Sequence, residues 1–387
     1  MVFIVNRFNK KVSRKNTNCV KWDLLEDEIL PFSIADSDYA TAAAIVKCLT
    51  ERARHPVFGY TYPDDEYFDS IIRWTKRRYG YDIVKDNIIP ANGVVGSLYY
   101  AIKFLKDNVD GVIIQTPVYN PFYSVILNNN VKIIENPLIN NDNYYTINFA
   151  LLAQQIDHKK IILLCNPHNP TGRVFRYDEL KKIVELAKKH DVFILSDEIH
   201  CDIMLNNNKF TSLNTFSDMY NKIMVFNSVS KSFNLAGLKT SNIIIKDVDI
   251  ANDFQLFLKS NFFSYGNLFG LTALKAAYNY AEEWLDLQNK HLSNNYELLK
   301  KYFNTNYPKV GVTKQEATYL AWLDLSFLGI PCHKMQEELL QLGIMVNDGK
   351  RYSQHCNGFI RFNFACSKEQ LQKGLNIMGT FIDSYTK

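Results

Sequence analysis

Lys231 stands in NSVSKSFNLAGLK (227–239), flanked by two serines just after the apolar run KIMVF. Most lysines belong on a solvated face, so an amine at a strand end asks for a chemical reason. Four other stretches close or follow apolar runs in the same way: LLCNPHNPTGRVF (163–175), LSDEIHCDI (195–203), TPVYNPF (116–122) and PANGVVGSLYYAI (90–102). They supply an amide at Asn169, a carboxylate at Asp197, an aromatic ring at Tyr119 and a helix start at Gly93. If the apolar runs are parallel strands, all five loops lie beyond the carboxyl ends on one rim. Open α/β sheets hold their ligands there.

Brought together, these groups are the parts that hold pyridoxal phosphate. The Lys231 amine would form a Schiff base with the cofactor aldehyde and later shuttle the substrate's α-proton. Asp197 would keep the pyridine nitrogen protonated, which makes the ring an electron sink. Asn169 would donate to the phenolic oxygen, and Tyr119 would cover one ring face. The phosphate would rest on the backbone N–H groups of Gly93, Val94 and Val95 at the helix start. Ser228, Ser230 and Lys239 would add hydroxyl and cationic contacts. Singly, each piece has an ordinary reading: an Asp after a strand caps or turns, a glycine serves turn geometry, and HNPTG makes a type I turn. Their order on successive strands is what favours a site.

The elements that must position them follow from the apolar pattern. NIIP, GVIIQTP, VKIIENP, KKIILLCNP, VFILSDEI, KIMVFNSVS and SNIIIKD read as strands, several without polar alternation, as in sheets buried on both faces. Amphipathic stretches such as YDELKKIVELAKKH lie between them. The repetition predicts an α/β domain with a mostly parallel, seven-stranded sheet. After residue 266 one long helical stretch (LFGLTALKAAYNYAEEWLDLQNKHLSNNYELLKKYF) leads to strands in ATYLAWLDL and GFIRFNFAC and to a final helix. This is a smaller α+β domain. The expected division is residues 1–45 packing with the small domain, 46–275 as the large cofactor-binding domain, and 276–387 as the small domain. The Asn-rich LINNDN reads as a surface loop.

Composition excludes other classes. With 387 residues, 47% hydrophobic and 22% charged, the chain is globular, and its size suits two domains. A net charge of +4 with scattered lysines leaves no basic stripe for nucleic acid. No apolar stretch approaches membrane-spanning length, and the initial MVFIV run is too short for a signal peptide. The seven cysteines are dispersed singly, as in reduced cytoplasmic proteins. The His–Cys neighbours at 200–201, 332–333 and 355–356 are adjacent, which is the wrong spacing for a zinc site, so no metal is expected.

NPHNPTGRV, SDEIHCDI, SVSKSFNLAGLK and GFIRFNFAC together resemble the fold-type I pyridoxal-phosphate enzymes of the aspartate aminotransferase superfamily (class I/II), over almost the whole chain. Within it they are most similar to the MalY/PatB branch of C–S β-lyases, of cystathionine β-lyase type. The resemblance implies the PLP-dependent transferase-like fold with Lys231 as the Schiff-base lysine. It also implies that Arg361 in FIRFN holds the substrate α-carboxylate, with a guanidinium fork suited to a bidentate pair. Tyr60 in FGYTYP would reach the cofactor phosphate of a neighbouring subunit, so that a homodimer shares its active sites. His200 would lie near the ring oxygen, and Asp36 would edge the substrate cleft. Lys239 stands where aminotransferases often have arginine, and Ala91 and Asn92 replace the usual Thr-Pro or Ser-Pro before the glycine.

The implied reaction removes the α-proton of cystathionine or another S-substituted cysteine, breaks its C–S bond and releases a thiol such as homocysteine. The unsaturated remainder hydrolyses to pyruvate and ammonia. Such a lyase would serve cytoplasmic amino-acid metabolism, methionine biosynthesis among its uses. The alternative is an aminotransferase that uses the same parts to move an amino group onto a 2-oxo acid. A non-catalytic module with the same fold is a third reading, against which the retention of Lys231, Asp197, Asn169 and Arg361 argues.

Overall fold

The computed structural model describes residues 7–263 and 265–386. The initial MVFIV run lies outside them. The seven expected strands form one sheet: β1 Ile88–Ala91, β2 Gly111–Ile114, β3 Lys132–Glu135, β4 Lys160–Cys165, β5 Phe193–Asp197, β6 Ile223–Asn227 and β7 Ser241–Ile244. Their spatial order is β1-β7-β6-β5-β4-β2-β3, and β7 alone runs antiparallel to its neighbours. The alternation of side chains feeds two cores. Ile113, Ile162, Leu164, Ile194, Val225 and Ile244 enter one, while Val112, Ile161, Leu163, Leu195, Met224 and Ile243 enter the other. Both faces are therefore dry, which is why these strands read as unbroken apolar runs. Truncating any one of these aliphatic chains to Ala would cost about 2–5 kcal/mol.

The helices that bear on the site are α1 Ala43–Arg54, α2 Asp65–Tyr79, α3 Val94–Leu105, α4 Tyr177–His190, α5 Val229–Ser232, α6 Leu268–Tyr280 and α7 Glu282–Asn306. The expected long helix after residue 266 is two helices, α6 and α7. Between them the buried Ala281 leaves helical geometry at ψ +15°, with neither Gly nor Pro to announce the break. A second sheet collects β8 Gly311–Val312, β9 Leu320–Asp324, β10 Asn347–Asp348 and β11 Phe359–Asn363, all antiparallel, in the order β8-β9-β11-β10. Near the beginning of the chain Leu30–Pro31 pairs in parallel with Ile344–Met345, and this brings residues 33–38 back across the large sheet's rim.

The LINNDN segment is not a plain loop. Ile139–Asn141 and Tyr144–Thr146 form a hairpin whose turn residues, Asp142 and Asn143, have φ of +50° and +60°. Asp and Asn tolerate that left-handed geometry, which a two-residue hairpin turn requires. The same Asn content that suggests a loop here closes a hairpin.

Candidate active site

Six strand ends and one strand start share a rim, and all but the end of β3 bear on the site. β1, β2, β4, β5 and β6 end there, and the reversed β7 begins there, so that Lys239 and Thr240 join the same edge. They surround a cavity of about 340 Å³ lined by Gly93, Val94, Val95, Tyr119, Asn169, Asp197, His200, Ser228, Ser230, Lys231 and Lys239. Eleven of the residues singled out from sequence thus meet in one place, joined by Ala35, Cys165 and Thr240. The volume suits a small cofactor.

Lys231 is half-buried, and its Nζ donates to the Ala35 carbonyl at 2.7 Å. Burial pulls the amine down to about 8, against the opposing pull of Asp36 and Asp197. Asp197 is 3% exposed and accepts only the Ile199 N–H, at 3.1 Å. It forms no ion pair among the described residues, and burial pushes it up to about 7. A dry carboxylate without a cation is costly, and a protonated ring nitrogen is the partner that would settle it. Cys165, opposite Asp197 in the β4–β5 register, is a buried neutral thiol beside it.

The anion end is built from backbone. Gly93 has φ of +118°, open to glycine alone without strain, and caps α3. Its own N–H donates to the Ser241 hydroxyl at 2.9 Å, while the residue lines the cavity. The first-turn N–H groups of Val94, Val95 and Gly96 are left without intrahelical partners. Ser228 caps α5, its Oγ accepting the Ser230 N–H at 3.0 Å and donating to the Thr240 carbonyl at 2.5 Å.

Arg361, 3% exposed, comes from β11. Its guanidinium donates to the Ser33 carbonyl at 2.6 Å and to Asn169 Oδ1 at 3.3 Å, and lies over the Tyr352 ring at 5.1 Å. Its Nε is buried without a partner. Asn169 has no protein acceptor for its amide nitrogen among the described residues, so that donor is left for the cavity. His200 is buried, meets the edge of the Tyr319 ring at 5.9 Å, and has an unpartnered Nδ1. Burial, helped by Lys231 and Arg361, drives it down to about 3, so the ring is neutral. Burial likewise raises the Tyr119 hydroxyl to about 12.

Two expected residues stand apart. Asp36 does not line the cavity: Arg14 grips it through two bonds of 2.9 and 2.7 Å, and Lys21 lies at 3.4 Å. Burial works to raise its pKa, but Arg14 and Lys21 hold it below the ordinary value, and its charge still reaches Lys231. Tyr60 is fully exposed and absent from the cavity of its own chain. Sequence reasoning missed the carbonyls of Ser33 and Ala35, since a backbone acceptor has no residue signature. Arg173 of NPTGR points away from the cavity into a buried network with Glu179 and Glu316.

The donor set fits pyridoxal phosphate: a half-buried amine that burial makes easier to deprotonate, an uncompensated carboxylate, a free amide donor, an anion-binding helix start, and a guanidinium short of one partner. Residues 27–377 match the family described as aminotransferase class I and II. Cystathionine beta-lyase PatB of Bacillus subtilis is 37% identical over 377 residues, covering 95% of this chain and 97% of that protein. The crystal structure of cystalysin from Treponema denticola, which contains pyridoxal 5'-phosphate, is similar at a TM-score of 0.92 and 34% identity, covering 97% of this chain and 98% of that one. The pyridoxal-phosphate-bound C–S lyase of Staphylococcus hominis is similar at 0.91 and 30%, covering 98% of each chain.

Proposed function

The chain belongs to the class I and II aminotransferase family, and on that premise we propose that it is a pyridoxal-phosphate-dependent C–S β-lyase. Its substrates are cystathionine and cystine-like S-substituted cysteines, and its products a thiol, pyruvate and ammonia. One observation carries the cofactor part of the reading: the Lys231 amine shares a cavity with the buried Asp197 carboxylate, which has no cation of its own among the described residues. Similarity to cystathionine beta-lyase PatB supports the lyase over the aminotransferase.

When bound, the cofactor supplies an aldehyde that carries the amino acid and a cationic ring that draws off the electrons left at Cα. The chain's own residues do the rest. Arg361 would hold the α-carboxylate with its fork, equally before and during the proton transfer. Lys231 Nζ takes the proton from Cα and holds it. Asp197 holds the proton on the ring nitrogen. Asn169 would donate to the ring oxygen, and Tyr119 would cover the ring from water. The neutral His200 fills the wall beside the ring and adds no charge. The helix start at Val94–Gly96, with Ser228, Ser230 and Lys239, takes the phosphate.

The active unit is proposed to be a homodimer with shared sites. In support, Val57, Phe58, Tyr60 and Tyr62 expose large apolar side chains from a segment without regular secondary structure. Tyr60 acts on the partner's phosphate and Asp36 acts on the substrate cleft at a distance, through charge. The proposed division is a large domain over 46–275 and a small one from 276 onward, with the described residues before 46 touching both: Leu30–Pro31 pairs with Ile344–Met345, and Ala35 and Ser37 meet Lys231 and Asn234. The enzyme works in the cytoplasm, and no described helix is long and apolar enough to cross a membrane.

The test is a product assay over cystathionine, cystine and S-alkyl cysteines. Pyruvate and free thiol in equal amounts support the lyase. Stoichiometric glutamate from 2-oxoglutarate without pyruvate supports an aminotransferase and overturns it.

A further inference from the structure

We propose that Asp202 is a positioning residue, whose buried carboxylate ties the turn carrying Lys231 to the loop carrying Asp197 and His200. The inference rests on the reading that Lys231 carries the cofactor. Asp202 follows Asp197 by five residues and Ser232 follows Lys231 directly. The two meet away from the cavity, since neither lines it.

The α5 turn spans only four residues, too few to hold its own shape. Its first end is fixed by Ser228. Its other end is fixed by Ser232, whose Oγ donates to Asp202 Oδ2 at 3.1 Å. Asp202 Oδ1 accepts the Trp74 indole N–H at 3.2 Å and the Tyr79 hydroxyl, both from α2. Trp74 is itself immobilised by stacking on Tyr278 at 4.6 Å. Adjacent residues of α7 then grip the backbone of both partners: Gln288 Nε2 donates to the Ser232 carbonyl at 2.8 Å, and Asn289 Nδ2 to the Asp202 carbonyl at 2.7 Å. Two packed helices thus hold the two reactive loops at one carboxylate.

Burial raises the Asp202 pKa, while Tyr79, Arg78, Ser232 and Trp74 oppose it. A carboxylate suits the place because three donors converge on its two oxygens. Asparagine must present an N–H₂ to one of them, so Asp202→Asn keeps part of the link. Ser232→Ala deletes the link to α5 alone and leaves Trp74 and Tyr79 in place. Arg361 is held by Ser33 and Asn169, outside this clamp. The clamp therefore governs the amine's distance from Asp197 and leaves carboxylate binding untouched.

The experiment uses full-length holoenzyme carrying Ser232→Ala or Asp202→Asn. We expect kcat to fall at least about tenfold in Ser232→Ala, within the roughly 100-fold that a 1 Å misplacement costs. KM should hold within about threefold and the thermal midpoint within a few degrees, with Asp202→Asn between native and Ser232→Ala. The second readout is the pH midpoint of the visible absorption of the lysine-bound cofactor. It senses the groups facing Lys231, which are Asp36, Asp197, Arg361 and the neutral His200, and moves when their spacing to the amine changes. The groups facing Asp202 are Arg78, Tyr79, Tyr278 and Cys201, and Ser232→Ala alters none of them. A normal native band that Ser232→Ala leaves unmoved, with native kcat, overturns this inference alone. A native protein with no such band overturns the functional reading and this inference with it.

Discussion

Replacing Arg361 with Ala removes a cation that the fold holds ready for an anion it does not itself provide. Arg361 is 3% exposed, bonded to one carbonyl and one amide oxygen, and left with an unpartnered Nε. No carboxylate of the described residues forms an ion pair with it. The substrate carboxylate is the missing partner, and truncating one member of a buried, hydrogen-bonded charge pair costs about 2–5 kcal/mol. At 1.36 kcal/mol per decade this is roughly 30- to 5,000-fold in kcat/KM. The loss belongs in KM, because the carboxylate is bound equally before and during the proton transfer. Arg361→Lys keeps the charge but loses the fork, and should fall between. Initial rates of pyruvate release against cystathionine concentration measure both. A thioether amine lacking the α-carboxylate should be equally poor with the native enzyme and with Arg361→Ala. A KM within threefold of native, or a loss confined to kcat, would refute the reasoning.

Other perturbations have equally definite outcomes. Asp197→Ala leaves the ring cation without its buried partner and should weaken cofactor retention by at least about 100-fold, from a pair worth about 3–5 kcal/mol when broken; equilibrium dialysis against free cofactor reads this, and native retention contradicts it. Capture of the cofactor aldehyde by cofactor-free protein needs the neutral amine. Since burial lowers Lys231 to about 8 while Asp36 and Asp197 resist and Arg361 assists, the capture rate should climb with pH and level off above about 8. A rate still climbing near the ordinary lysine value of about 10.4 would show an unperturbed amine. Glu316→Ala should cost about 3–5 kcal/mol, since Glu316 bonds the buried Arg173 and the Val174 N–H, with the exposed Arg176 closing the network from outside. Urea unfolding measures it, and a loss below about 1 kcal/mol would show that the network relaxes.

Legibility in the sequence followed the range of the interactions. The large sheet was readable because strands buried on both faces leave continuous apolar runs, and the Tyr177–His190 helix because its apolar period is plain. The residues that line the cavity were readable because each sits within a few positions of a strand end. The hairpin at 139–146 and the break at Ala281 were not, because Asn-rich turns and a bare alanine mark nothing locally. Nor was the Arg14–Asp36–Lys21 cluster, whose members sit up to 22 positions apart and look like ordinary surface charge. The clamp at Asp202 joins residues 74, 79, 202 and 232, and only the packing of α2 and α7 brings them together.

Ala35 gives its carbonyl to the reactive amine and Ser33 gives its own to the guanidinium of residue 361. The opening of the polypeptide is therefore a stopper over a vessel whose walls come from its middle and whose far lip comes from its end. A chain emerging from the ribosome owns no finished vessel until that last strand has been made and seated. Yellow colour acquired during synthesis would report complete folding, and neither terminus can be trimmed past these positions without draining it.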